Sequence, residues 1–275
     1  MALIAMAVWD TEENRRTELT AKTLQCLYET VDHAKHRIIV VDNNSCEETK
    51  QLYRTWMEIY KGYSEWTNFE PLQVIYMNEN IGTARAINQA WLLRKPGENA
   101  IKMDNDVLIH QNHWLDILEE CIVREPKVGI IGLKRMDCIE TPWHPMDWYR
   151  SELLMLPHEL GQPWLIVEKV HHVMGTCQLY SSACLDQIGY LYQMGGFYGF
   201  DDALASIRAQ VAGFITVHYS HIRITQMDVS DVKLDDDPYT NWKHTYSSRL
   251  MDRYNAYRIG LQHGDIPVYN GPEDL

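Results

Sequence analysis

Apolar and polar positions along this 275-residue chain follow two alternating rhythms. Residues 3 to 9 are an unbroken apolar run, which predicts a buried strand. TELTAKTLQCLYETV then carries Leu19, Thr23, Leu27 and Val31 at helical spacing, and HRIIVVD returns to a short β-branched run ending at Asp42. The pair repeats. CEETKQLYRTWMEIYKGY predicts a helix with Leu52, Trp56, Ile59 and Tyr60 facing inward, and PLQVIYM a strand. IGTARAINQAWLLRK predicts a helix and NAIKM a fourth strand. Strands alternating with helices imply an α/β fold with a mostly parallel central sheet covered on both faces. In such sheets the ligand crevice lies beyond the carboxyl ends of the strands.

The rhythm breaks over residues 134–172, where Pro142, Pro145, Pro157 and Pro163 accompany Trp143, Trp148 and Trp164. That composition predicts a loop-rich, aromatic-walled insertion. Regular patterning returns with VMGTCQLYSSACLDQIGYL, a glycine-rich loop GGFYG, a helix over FDDALASIRAQVAGF and a strand over ITVHYSHIRI. From Asp235 onward the sequence reads as a turn, DDDPYT, and a helix around SSRLMDRYNAYRI. No internal repeat is visible.

Polar residues recur where these strands end. Asp42 closes HRIIVVD, Asn78 and Asn80 follow VIYM, and Asp104, Asn105 and Asp106 follow AIKM. Carboxylates beside a buried strand need water, a cation or a ligand as partner. In an extended segment Asp104 and Asp106 point to one side, and two hard oxygen donors suit Mg²⁺ or Mn²⁺ shared with a diphosphate. The competing reading of Asp-Asn-Asp is a plain turn. A calcium loop is excluded, because Val107, Leu108 and Ile109 stand where it needs polar residues and a glycine. The first strand leads into DTEENRR rather than GxGxxG, and GxxxxGK[ST] is absent, so dinucleotide and P-loop chemistry drop away.

Composition narrows the field further. Hydrophobic residues make up 45% and charged ones 23%, ordinary usage for a folded soluble protein. The net charge of -13 is opposite to the basic footprint of a nucleic-acid binder. No apolar run approaches the roughly 20 residues of a transmembrane span, and MALIAMAVW reads as the first strand rather than a leader. The six cysteines form no CxxC pair, which fits free thiols and a cytoplasmic location.

The segments AVWDTEENRRTELTAKTLQCL, IIVVDNNSCEET, NENIGTARAINQA, KMDNDV, VMGTCQLYSSACLDQIG and GFDDALASIRAQVAGF, in this order, resemble the family 2 glycosyltransferases with the GT-A (Rossmann-like) fold. The resemblance covers about residues 3–225. It implies a transferase domain over 1–225, with 134–172 as an acceptor-side insertion and 226–275 as an extension packed on the same domain. It also implies inverting transfer of a sugar from a UDP- or GDP-linked donor, assisted by Mn²⁺ or Mg²⁺. On this reading Asp42 binds the donor base or ribose, while Asn80, Gly82 and Arg85 lie near the phosphates. The DXD motif is Asp104 toward ribose and metal and Asp106 on the metal. Asn105 is counted with the nucleotide-binding residues, its side chain turned from the cation. Asp202 matches the general base, followed six residues later by Arg208, with Asp201 as the register-shifted alternative. His221 is the choice for a late metal ligand and His218 the runner-up.

The acceptor stays open among a glycan, a lipid-linked or small molecule, and a hydroxymethylated base in viral DNA. Lys134, Arg135, Arg150 and Lys169 could form a local basic patch for the last of these. A non-catalytic sugar-nucleotide-binding module is the remaining alternative.

Overall fold

The computed structural model describes residues 1–64, 72–135, 152–227 and 238–272. Strands β1 (Ala2–Val8), β2 (Arg37–Asp42), β3 (Gln73–Tyr76) and β4 (Asn99–Met103) run parallel, in the spatial order β3-β2-β1-β4. Helices α1 (Thr17–Thr30), α2 (Glu47–Ser64) and α3 (Thr83–Trp91) connect them. After β4 come β5 (Val107–Ile109), α4 (Trp114–Arg124) and β6 (Val128–Leu133), then the hairpin β7 (Glu152–Met155) and β8 (Ile166–Lys169). β9 (Cys177–Tyr180) inserts antiparallel between β4 and β6. Beyond α5 (Ser182–Ile188) and α6 (Asp201–Val211), β10 (Ile215–Tyr219) runs parallel to β6, completing a nine-stranded sheet. β11 (Ile224–Gln226) pairs antiparallel with β5 as a separate two-stranded sheet, and α7 (Pro238–His263) closes the described chain.

β1 shows why the apolar runs have no polar alternation: both of its faces are covered. Ala2, Ile4, Met6 and Val8 join a core with Leu24 and Leu27 of α1, Tyr53 and Tyr60 of α2, and Trp114 of α4. Leu3 and Ala5 join a second core with Ile87 of α3, Leu185 of α5 and Ala205 of α6. A central strand in such a layered sheet is apolar throughout.

Four expectations change in detail. On α2, Tyr60 is buried and Leu52 and Trp56 pack half-buried on the core as expected, but Tyr53 is buried as well and Ile59 is exposed. ITVHYSHIRI is two strands, because the chain turns at Ser220–Arg223 and leaves the main sheet to pair with β5. The expected boundary after residue 225 therefore falls inside β11. Within 134–172, the described part is the β7–β8 hairpin and its flanks, with Trp164 exposed and stacked on His158. Trp143, Trp148 and Arg150 lie outside the described residues. The tail helix begins earlier than expected, at Pro238. It packs on α6 through Leu204, Leu250 and Leu261 and stacked rings of Phe200 and Tyr254.

Candidate active site

The carboxyl ends of β1, β2 and β4 meet at one edge. Just past β1, Asp10 is fully buried. Its carboxylate accepts from Thr20 Oγ1 at 2.7 Å, Asn105 Nδ2 at 3.0 Å and Thr49 Oγ1 at 3.3 Å. Burial pushes its carboxyl up to about 6, against the opposing pull of Thr20, Arg16, Thr49 and Asn105. At the end of β2, Asp42 Oδ1 accepts the Ser45 N–H at 3.1 Å, while its buried Oδ2 has no hydrogen-bond partner among the described residues. Burial raises this carboxyl too, offset by Ser45 and Lys50. A buried acceptor of this kind suits a ligand donor such as a base N–H or a ribose hydroxyl.

Asn80 and Gly82 hold the next loop rather than standing open. Asn80 Oδ1 accepts from Asn43 Nδ2 at 2.8 Å and from the Gly82 N–H at 2.9 Å, and Asn43 Oδ1 accepts the Ile81 N–H. Gly82 takes φ 92° at the start of α3, where a Cβ would lie 2.8 Å from Gln193 Oε1. The first donors of α3 are already engaged, Thr83 N–H by Phe197 O and Ala84 N–H by Gln193 Oε1. A phosphate at this helix terminus would have to displace the glycine-rich loop. Arg85 is exposed on the first turn.

The Asp104–Asp106 segment is a turn between β4 and β5, not extended chain, so the two carboxylates do not share a side by strand alternation. Asp104 is half-buried and donates its N–H to Thr176 O at 3.0 Å. Asn105 turns toward the β1–α1 loop and donates to Asp10 and to Thr20 Oγ1. Asp106, 1% exposed, holds the Arg16 guanidinium at 2.5 Å and lies 3.4 Å from Gln226 Nε2, while its carbonyl accepts the Met227 N–H. The oxygen chemistry of Asp104 and Asp106 fits Mg²⁺ or Mn²⁺, with Asp106 available on condition that Arg16 gives way.

Of the histidines, His218 is buried and accepts the Met174 N–H on Nε2 at 3.3 Å, its proton affinity lowered to about 3 chiefly by burial. His221 is exposed, edge-on to Tyr219. Asp104, Asp106 and His221 do not converge into a ligand trio. Among the described residues the one group whose candidate ligand atoms all lie within 4.8 Å is Asp32, His113 and Asp116. It sits between the start of α4 and the loop before β2, at the opposite edge of the sheet. Asp116 there is already paired with Lys35, which marks a surface ion-pair cluster.

Across the crevice, α6 begins with Asp201 and Asp202. Asp201 Oδ2 lies 3.0 Å from Lys102 Nζ, both groups nearly buried. Asp202, a quarter exposed, lies 3.2 Å from His172 Nε2 and accepts the Gly175 N–H at 2.9 Å and its neighbour Ala203 N–H at 2.8 Å. Burial would raise the Asp202 carboxyl. The charge and hydrogen bond of His172, the Lys102 ammonium and the Ala203 N–H outweigh it and hold the group well below the usual carboxylate range. Lys102 belongs to β4, two residues before Asp104, so this pair joins the two halves of the edge. Arg208 does not face the crevice. It is buried and donates to the carbonyls of Ile188, Tyr190 and Val268.

Asp10, Arg16, Lys102, His172 and Gln226 were not singled out from sequence. Strand-end placement flags Asp10 and Lys102 in the same way as Asp42 and Asp104. Nothing local marks Arg16, His172 or Gln226, whose partners lie 90, 30 and 120 residues away.

The profile of glycosyl transferase family 2 matches residues 14–189. No curated protein matches the sequence significantly. Among solved structures, the mannosyltransferase PcManGT from Pyrobaculum calidifontis, in complex with GDP-Man and Mn²⁺, superposes with a TM-score of 0.56 at 17% identity, over 80% of this chain and 55% of its own. S. aureus TarS 1-349 gives 0.55 at 17% identity, over 80% and 58%. GalNAc-T7 with UDP, GalNAc and Mn²⁺ gives 0.56 at 10% identity, over 82% and 44%. At these identities the likeness is one of fold, and this chain spans about half the length of those proteins. No described helix is long and apolar enough to cross a membrane. The mixed α/β sheet and the profile match over most of the chain agree: the chain belongs to glycosyl transferase family 2.

Proposed function

We propose that the protein transfers a sugar from a nucleoside-diphosphate donor to an acceptor hydroxyl, with inversion, using Asp202 as general base. The observation that carries this reading is the placement of Asp42 and Asp104 on one wall of the strand-end crevice and Asp202 at the head of α6, tied back to β4 through Lys102 and Asp201. Asp42, with its unpartnered buried oxygen, would take the nucleoside, and Asp104 the ribose and cation side. A bound Mn²⁺ or Mg²⁺ supplies positive charge to the departing diphosphate. Asp202 accepts the proton of the acceptor hydroxyl as that oxygen attacks the anomeric carbon. Residues 1–225 with the β11 end form the transferase unit, and α7 packs against it as an extension. The related folds carry GDP-Man, UDP or UDP-GlcNAc, so GDP- and UDP-sugars are the first donors to try.

The test is a thermal-shift screen of GDP- and UDP-sugars with Mn²⁺. At least one donor should raise Tm, Asp42→Ala and Asp104→Ala should erase the shift, and Asp202→Asn should keep the shift while losing transfer. A screen in which no donor moves Tm overturns the proposal.

A further inference from the structure

The segment between β8 and β9, His171 to Thr176, is laced along one stripe of α6. Gly175 N–H donates to Asp202 Oδ2, Val173 N–H to Ser206 Oγ at 3.2 Å, and Gln210 Nε2 to His171 O at 2.8 Å. Asp202, Ser206 and Gln210 are four residues apart and share one helix face. The segment is also tied to the sheet: Met174 N–H donates to His218, Thr176 Oγ1 to Gln226 at 3.2 Å, and Thr176 O receives the Asp104 N–H. Gly175 presses so closely that a Cβ there would lie 2.6 Å from Lys102 Nζ and 2.9 Å from Asp202 Oδ2. With His171, Val173 and Gly175 fixed on α6, His172 is held in place, its ring a quarter exposed beside an equally exposed Asp202.

We propose that His172 is a positioning residue for Asp202, holding Oδ2 so that Oδ1 faces the acceptor hydroxyl; the inference rests on the transferase reading above. A carboxylate oxygen offers two lone-pair directions. Oδ2 accepts the Gly175 N–H and faces His172 Nε2 at 3.2 Å, an ion-pair contact, whereas Oδ1 accepts only the Ala203 N–H. The remaining direction on Oδ1 receives the acceptor proton. In the same step the acceptor oxygen bonds to the anomeric carbon, and the bond from that carbon to the diphosphate breaks, its electron pair leaving with the phosphate. The titratable and charged groups around the pair are Asp201 on α6, Lys102 and Asp104 on and after β4, Tyr180 on β9, His218 on β10 with Glu168 and Lys134 beyond it, and Tyr254 on α7. Of these, Lys102 is already paired to Asp201 and Lys134 to Glu168, which leaves His172 as the direct side-chain partner of Asp202 among the described residues.

The experiment combines steady-state kinetics with NMR titration of the Asp202 carboxyl in ¹³C-aspartate-labelled protein, assigned with Asp202→Asn. In His172→Ala, kcat should fall about tenfold or more with donor KM within about twofold, as expected when a reacting group loses its orientation. The Asp202 titration should move up by about one pH unit or more. His172→Gln, which keeps a donor at the ring's reach, should recover much of kcat. A fall in kcat with an unmoved Asp202 titration overturns the proposal, and so does kcat within twofold of the parent. If the protein transfers no sugar while the titration still moves, the transferase reading fails and the coupling of the two side chains stands.

Discussion

Asp10, just past the end of β1, is the residue that charge accounting picks out. Its carboxyl is fully buried and titrates near 6 in the folded chain, above the ordinary 3.8. The folded state therefore binds the proton more tightly than the unfolded state, and stability falls as pH rises from about 4 to about 6. The ionised group costs about 3 kcal/mol once that window is crossed. Asp10→Asn keeps one acceptor oxygen and removes the titration. In urea unfolding, the difference between parent and variant should drift toward the variant across pH 4 to 6 and level off above. Parallel curves would count against the burial account. The strand-end placement of Asp42 and Asp104 was legible from sequence, because an acid closing a buried strand has few places to go. His172 was not, because its role is conferred by Asp202, thirty residues on, and by the segment that brings them together. Asp106 was legible as a charge needing a partner. Its partner Arg16 lies ninety residues away in a loop whose pattern suggests only solvent.

At the scale of elements, the β and α alternation was readable because each central strand is covered on both faces and leaves an apolar run. The α2 stripe was read correctly at Leu52, Trp56 and Tyr60, which bury or pack on the core, but Ile59 is exposed and the place of an inward residue is taken by the larger ring of Tyr53. The break in ITVHYSHIRI has no local punctuation such as Gly or Pro and follows from the pairing of β11 with β5. The position of Arg208, six residues after Asp202, has a structural cause. Its guanidinium collects the carbonyls of Ile188 and Tyr190 at the end of α5 and of Val268 in the tail, fastening α5, α6 and the segment after α7 together. Arg208→Met would take the donor from Val268 O, leave Ile188 O and Tyr190 O only their Asn270 donors, and cost about 3 kcal/mol. Arg208→Lys keeps the charge but not the planar fork, so it should recover only part of the loss. Urea midpoints, with limited proteolysis of residues 264–270, check both, and a fully stable Lys variant would argue against the fork.

Over the whole molecule, the crevice is assembled from segments far apart in sequence: the loop after β1, the turn after β4, the segment before β9, the head of α6 and the end of β11. Arg16 and Asp106 form the lock among them, joining the β1–α1 loop to the small β5–β11 sheet through a nearly buried pair. On the proposed reading a divalent cation at Asp106 would compete with Arg16 for the same carboxylate, and its binding would be linked to release of the loop that carries Arg16. Removing one partner of a buried pair leaves an uncompensated charge and costs about 3–5 kcal/mol. Arg16→Gln should thus lower Tm in metal-free buffer. Mn²⁺, relieved of its competitor, should bind the variant about tenfold more tightly, a difference of about 1.4 kcal/mol, and millimolar Mn²⁺ should restore a larger share of Tm than it adds to the parent protein. Titration calorimetry or Mn²⁺ EPR with Arg16→Gln, alone and combined with Asp106→Asn, reads this directly. If the cation rests on Asp104 without Asp106, the Arg16 substitution leaves Mn²⁺ affinity unchanged and the lock is purely structural. If the two compete, the gain appears in Arg16→Gln and vanishes in the double variant.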